Sequence, residues 1–568
     1  IILAGIVINI SLGANGIFER AKQAKEHYTL SEAREKLETV LIEAVIEKET
    51  NASYNNADFL DGMLQKNKME VNGDNVIVDT YNFTIDREKL VITKILGETQ
   101  IKVTSEVQKY LGKNASGKYE AQLLVTIESN TELEKVEIIK PDGTIINMQT
   151  KNEKVQKELV VEFDEEYTLI ITDKTGNTEN RKVVEKTEEI IRTAEELVVL
   201  RDKVNKGLTY EGKIIKQAKD IDLNTVCNSE IGTWIPIGNA VGIYFLGTYD
   251  GDNNELKNLY IKTNQEFAIG LFGRIGYTGK IQNLTVTGHV ERTNFTDSAI
   301  GAIVGRNEGT IENVTNKANI ISGGDSAGGI AGNNINTITK CTNSGSITSE
   351  GYYVGGICGI SNGSITNANI TEDIQPKIRQ CKNTSEVTIR GTQNVGGILG
   401  GGLTKIDIGQ CYNAGTINGS SNVGGIAGYI GNDDGKYGYI GNCYNIGDVN
   451  ATNNRAGGLV GIIVPGLKEV VSSYNIGKIT CIQYVGGVIG ENNGVLYNIY
   501  YLNKGGVTYG CGINNSSTGL EEAEGSTEQT LKNLAKKFND YAISVGNNPV
   551  WKNDETNINN GYPILLWQ

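Results

Sequence analysis

The groups of this 568-residue chain that could do chemistry are few: eight cysteines, two histidines and 67 acidic side chains. His27 and His289 lie far apart in sequence, and no H-E-x-x-H pair exists to hold zinc. A Ser-His-Asp mechanism would have to use one of these two histidines, and neither sits in a setting that suggests it. Asp250-Gly-Asp252-Asn-Asn254 opens like a calcium loop. Glu255 and Ile261 then stand where an EF-hand requires its glycine and its distal glutamate, so that reading fails. Asp433-Asp434 reads as a solvated turn. Polysaccharide-cleaving enzymes gather carboxylates on one outer face, and no acidic column repeats here. No catalytic, metal-binding or cofactor-binding residue is expected. A carbohydrate-active enzyme, lyase or hydrolase, is the alternative reading.

The cysteines point to architecture. Cys341, Cys381, Cys411 and Cys443 recur in the blocks ITKCTNSGSI, IRQCKNTSEV, IGQCYNAGTI and IGNCYNIGDV, with Val314 and Ser473 at the equivalent places. That column is small and mostly apolar, and should face inward as free thiols: stacked strands hold neighbours about 4.8 Å apart, yet parallel side-chain vectors strain a disulfide. Two residues on stands a second column, Asn316, Asn343, Asn383, Asn413, Asn445 and Asn475. Asparagine tolerates a left-handed turn there, and its amides can bond along the column. Beside the cysteines stand Tyr412, Tyr444, Tyr474 and Tyr500, which alternation places outside. They form either an aromatic strip that stacks on a surface glycan or protein ligand, or a self-stacking ladder that stiffens the fold.

Columns of this kind need stacked coils, and the sequence supplies them. AIGLFG at Ala268 recurs as IGAIVG, AGGIAG, VGGICG, VGGILG, VGGIAG, AGGLVG and VGGVIG, at Ile300, Ala327, Val354, Val395, Val423, Ala456 and Val485. A period near 27 to 30 residues fits one coil of three short strands. Longer steps hold insertions, such as NITEDIQPKI before Cys381. The fold class is therefore mainly β, a right-handed parallel β-helix (solenoid) over 189–516. Thr193 and Glu196 cap a helix ahead of the first coil, and 517–568 form a C-terminal cap. Glycine at 70 residues against only 6 prolines suits many tight turns.

Upstream, 104–188 carries strands such as YEAQLLVTIES and YTLIITDK at about ten-residue spacing, with turns at Pro141-Asp142-Gly143 and Thr175-Gly176-Asn177. That spacing predicts a β-sandwich. Residues 51–103 read as a small antiparallel head, in which Asn75–Tyr81 and Lys89–Ile95 form a hairpin. Before it, Leu30, Ala33, Leu37, Val40 and Ala44 share one helical face behind a Thr29/Glu32 capping box. The apolar run Ile1–Ile10 is too short to span a bilayer. Because the first residue is Ile, the beginning of the chain is expected to be missing. The net charge of −14 disfavours nucleic acid and plain adsorption to anionic lipid.

Three stretches resemble known families. ILAGIVINISLGANGIFERAKQAKEHY is similar to the end of the N-terminal segment of type IV pilin-like (prepilin N-methylation) proteins, covering about 1–50. That resemblance implies export, membrane contact only through the missing N-terminal segment, and pilin-like subunits as partners. The run Tyr167–Asn177 resembles the closing strands of bacterial Ig-like spacer domains. The glycine blocks resemble GLUG-motif repeats of bacterial surface proteins and adhesins, which also occur in non-catalytic parts of some IgA-cleaving proteases. Together they imply an extracellular, cell-surface protein with an adhesive or structural role, membrane-anchored or filament-associated.

Overall fold

A computed structural model describes residues 28–50, 58–78, 81–96, 101–150, 152–174, 178–265, 267–294, 299–362, 375–403, 405–431, 438–466, 468–503, 507, 509–515 and 524–568. His27, Ile1–Ile10, the turn at Thr175-Gly176-Asn177, Asp433-Asp434 and most of the insertion before Cys381 lie outside them. The described residues fall into two compact units.

In the first unit, helix α1 (Tyr28–Thr50) turns Ala33, Leu37, Val40, Leu41 and Ala44 inward at three- and four-residue steps. They meet Leu60 and Leu64 of α2 (Asp58–Lys66) and Val76, Val78, Phe83 and Ile85 of a four-stranded antiparallel meander. Its strands are β1 (Glu70–Asn72), β2 (Asn75–Val78), β3 (Tyr81–Asp86) and β4 (Val91–Leu96), in that spatial order. The expected hairpin between Asn75–Tyr81 and Lys89–Ile95 is corrected: β3 lies between them and pairs with both. Its run YNFTID alternates apolar and polar residues as its neighbours do, and buries Phe83 and Ile85.

Residues 101–183 build two further sheets. One is β5–β6–β9 (Ile101–Lys113, Tyr119–Ser129, Lys154–Glu162) and the other β11–β10–β7–β8 (Thr178–Val183, Tyr167–Asp173, Leu133–Ile139, Ile145–Gln149). Strands β6 and β10 alternate buried with half-exposed residues, so each sheet has one apolar face.

The second unit carries the solenoid. Its first rung, β12 (Glu188–Ile191), pairs in parallel with Ile214–Gln217. Between these rungs stands α3 (Ala194–Asn205). Thr193 Oγ1 accepts from the Glu196 amide at 3.2 Å, and the Glu196 carboxylate accepts from the Arg192 amide at 2.6 Å. The first bond occupies an amide that the start of a helix leaves without a partner, and the second ties the residue before the cap to the first turn.

From there every coil lies on the next in parallel register. Ile311, Ile338, Ile378, Ile408, Ile440, Val470 and Leu496 form one continuous inward column. Val354, Val395, Val423, Ala456 and Val485 form another. A separate nine-stranded sheet, from Phe272–Ile275 to Cys511–Asn514, makes a further wall. Lys377 pairs with Thr337, so the coil resumes its register beyond the insertion.

Two columns of left-handed residues turn the coil. One runs Asn313, Lys340, Gln380, Gln410, Asn442, Ser472 and Asn498, with φ between 46° and 55°. The other runs Ser326, Tyr353, Asn394, Asn422, Arg455 and Tyr484, with φ between 55° and 60°. This corrects the expectation for the asparagine column: the left-handed residue stands three places earlier, before the cysteine. The column asparagines sit in short extended strands such as Tyr412–Asn413 and Tyr444–Asn445, where their amides can point inward. Lysine, arginine and tyrosine occupy the left-handed sites as well, so closure of the coil, rather than residue preference, imposes a strain of about 1–2 kcal/mol per non-glycine residue.

One buried column is polar. Nδ2 of Asn316 donates to Asn343 Oδ1 at 2.8 Å, and the chain of amides continues through Asn383, Asn413, Asn445 and Asn475 at 2.8–3.2 Å. Most of these side chains also brace their own turn. Asn413 Nδ2 donates to Gly415 O at 2.8 Å and Asn413 Oδ1 accepts from Gly415 N at 3.2 Å. The opposite wall must be glycine. A Cβ on Gly397, Gly425 or Gly458 would stand 2.3–2.6 Å from Asn413, Asn445 or Asn475. The G-G block and the C-x-N block are thus two sides of one contact.

Candidate functional site

The cysteine column faces inward: Val314, Cys341, Cys381, Cys411, Cys443 and Ser473 are fully buried, and the four column cysteines are free thiols. Each column thiol donates to the carbonyl two residues back at 3.2–3.3 Å, and Ser473 Oγ does the same at 2.8 Å. Burial pushes the Cys381 and Cys443 thiols well above the ordinary range, which suits packing and not nucleophilic attack.

The tyrosines do point out of the coil, yet Tyr444, Tyr474 and Tyr500 are buried and Tyr412 is half-buried. Tyr412 and Tyr444 stack at 4.9 Å and 4°, and Tyr444 and Tyr474 at 5.1 Å and 2°. Over them lies the C-terminal arm, made of α4 (Glu528–Lys532), α5 (Leu534–Ser544) and the segment to Gln568. Leu531, Leu534, Phe538, Trp551 and Leu565 bury Tyr444, Tyr474 and Tyr500 to 3 % exposure or less. The hydroxyls are occupied too: Tyr474 donates to Pro563 O at 2.5 Å, and Tyr444 pairs with the Gln568 amide at 2.7–2.9 Å. Lys537 Nζ donates to Tyr500. Tyr412, Tyr444, Tyr474 and Tyr500 therefore receive the chain's own arm, and the reading of them as an exposed ligand strip is corrected. The arm is also more than an end cap. It adds one rung, Glu524–Ser526 on Tyr500–Leu502, and then folds back along the flank as far as Gln410, whose carbonyl accepts from Trp567 Nε1 at 3.1 Å.

Burial raises the ionisation of Tyr444 and Tyr474 well above the ordinary tyrosine value. A group whose folded pKa is raised stabilises fully below its unfolded pKa, about 10 for tyrosine. That contribution is lost as pH climbs above it toward the folded value. The melting temperature should therefore fall progressively above about pH 10, with these tyrosines ionising only as the protein unfolds. Tyrosinate absorbance followed during alkaline melts checks this, and a melting temperature that stays level through strongly alkaline pH contradicts it.

Asp250 is saturated by its own loop and the next coil. It accepts from the Asp252 amide at 3.0 Å, from Asn283 at 3.0 Å and from Gln282 at 2.8 Å. His289 shares Glu291 with Lys262 on the outside of a rung. Among the described residues no group of three His, Cys, Asp or Glu side chains is placed to hold a metal ion.

The sequence reading missed a recess of 440 Å³ between the coils and the arm, lined by Arg379, Asp407, Tyr439, Asn442, Ser472 and Asn548 among others. Its origin is visible in the blocks. Where other coils carry Thr339 and Arg379 two places before the cysteine, these carry Gly409 and Gly441. A Cβ on Gly409 would meet the Arg379 guanidinium at 2.9 Å, and one on Gly441 would overlap the Tyr439 ring. The glycines let both side chains lie flat along the wall. That change from ITKC and IRQC to IGQC and IGNC is the signal.

No protein-family model matches the chain. It is 30 % identical over 126 residues to a provisionally named Gly-rich membrane protein of Evansella cellulosilytica, a match covering 22 % of this chain and 14 % of that protein. It is 30 % identical over 114 residues to halomucin of Haloquadratum walsbyi, covering 20 % of this chain and 1 % of that protein. The matches thus span a small part of these relatives. A crystal structure of a provisionally named immunoglobulin A1 protease from Bacteroides ovatus aligns over 67 % of this chain and 93 % of its own, with 19 % identity and a TM-score of 0.32. No described helix is long and apolar enough to cross a membrane.

Proposed function

We propose that this chain is a non-catalytic bacterial surface protein whose solenoid is a rigid element for adhesion or for building the cell envelope. The observation that carries the reading is the in-register stacking of coils around a satisfied amide ladder, which makes a stiff body from glycine-rich sequence. A net charge of −14 suits a soluble exterior, and a name such as Gly-rich membrane protein on one partial relative suits envelope location. In this reading the GLUG-like repeats present the protein outward, the sheets of 104–188 act as an Ig-like spacer, and the pilin-like start supplies export and anchorage. Its partners are then a surface glycan or protein, and pilin-like subunits where the N-terminal helix assembles.

Immunogold electron microscopy of the producing cells, with antibody against the solenoid, tests the location. Label is expected on the outer surface of intact cells. Gold found only inside sectioned cells, with bare surfaces, would sink the reading.

A further inference from the structure

We propose that the recess between the solenoid and its C-terminal arm binds a neutral sugar, one or two rings in size. Among the described residues its charged lining groups are Arg379 and Asp407, which pair through Asp407 Oδ2, with Arg379 Nε donating at 3.1 Å. Asp407 is 8 % exposed and Ser472 2 % exposed, yet Asp407 Oδ1 and Ser472 Oγ have no hydrogen-bond partner among the described residues. Buried polar atoms are ordinarily bonded, so two of them lining one recess mark where a ligand's polar groups belong.

The chemistry selects the ligand class. A guanidinium beside a carboxylate oxygen offers donors and an acceptor side by side, the complement of two adjacent hydroxyls that each donate and accept. The pair has no net charge, so neither an acidic nor a basic sugar is favoured. Tyr439 and Tyr541 line the same recess and supply aromatic carbon for the C–H faces of a ring. A volume of 440 Å³ is in the range of small-ligand pockets and too small for a folded partner. Asn547 and Asn548, exposed on the arm, complete the rim with amides. The inference does not depend on surface display: a freely secreted solenoid would bind the same sugar, and failure of the immunogold experiment leaves it standing.

The test uses the full chain and saturation-transfer NMR with lactose, maltose, cellobiose and chitobiose, and with glucuronate and glucosamine as charged probes. A neutral disaccharide is expected to receive saturation. Asp407→Asn should weaken it by about tenfold or more, as loss of a hydrogen bond to a charged group does. Asn548→Ala, at an exposed position, should weaken it severalfold with the melting curve unchanged, and decides the matter if Asp407→Asn does not fold. No transfer to any neutral probe, transfer to the charged probes alone, or undiminished binding in the variants that fold overturns the proposal.

Discussion

Asn413→Leu will cost about 4 kcal/mol of stability, because it cuts the amide ladder at its centre and strands two donors. The Asn383 amide loses the oxygen it reaches at 2.9 Å, and the Gly415 N–H loses its acceptor at 3.2 Å. Each orphaned buried donor costs roughly 1–3 kcal/mol, and leucine offers no group in return. Water cannot repair the loss, since Gly397 already packs against this asparagine within 2.6–2.8 Å of where its Cβ would be. The neighbouring column provides the contrast. Cys411→Ser should change stability by less than about 1 kcal/mol, because Ser473 already makes the same bond to a carbonyl in that column. Urea melts of the two variants separate these outcomes. Equal and small losses in both would mean that the ladder ornaments the core without holding it.

The same contrast shows what the residues revealed in advance. Identical residues at a fixed period meet in a parallel stack, so Cys341 over Cys381 and Asn413 over Asn445 were legible without coordinates. The position of the left-handed residues was not. Gln380, Arg455 and Tyr484 carry no preference for that conformation, and only closure of the coil puts them there. The aromatic column was legible as an outward strip, but what covers it was not. Leu531, Leu534, Phe538, Trp551 and Leu565 follow no repeat, so nothing in their spacing names the surface they meet. The strand β3 was missed for a related reason: YNFTID follows closely on its neighbour, and Asp79-Thr80 between them includes no glycine or proline to mark a break. The recess lay in the one coil pair where glycine replaces the usual outward residue, a departure from the repeat that becomes meaningful only once the wall is known to be flat.

Trp551→Ala should release the arm and bare the tyrosine ladder. The indole is 2 % exposed and packs on Tyr474 at 5.7 Å, Tyr444 at 6.0 Å and Phe538 at 5.1 Å, while its N–H donates to Asn442 Oδ1 at 2.9 Å. Removing a buried tryptophan costs about 3–5 kcal/mol. That loss falls on one contact surface, because α5 and the segment after it bond to the solenoid mainly at Tyr444, Tyr474, Tyr500, Asn442 and Gln410. The coils should survive, since their register depends on the interior columns and not on the flank. Limited proteolysis is then expected to clip α5 in the variant while the solenoid resists, and a dye that reports exposed apolar surface should brighten. Far-ultraviolet circular dichroism should stay β-rich. If the solenoid unfolds together with the arm, the flank is an integral wall of the stack; if the arm stays protected, its polar bonds hold it without the tryptophan. With a released arm the recess at Arg379 and Asp407 loses one side, so sugar binding should fall with arm protection in the same variant.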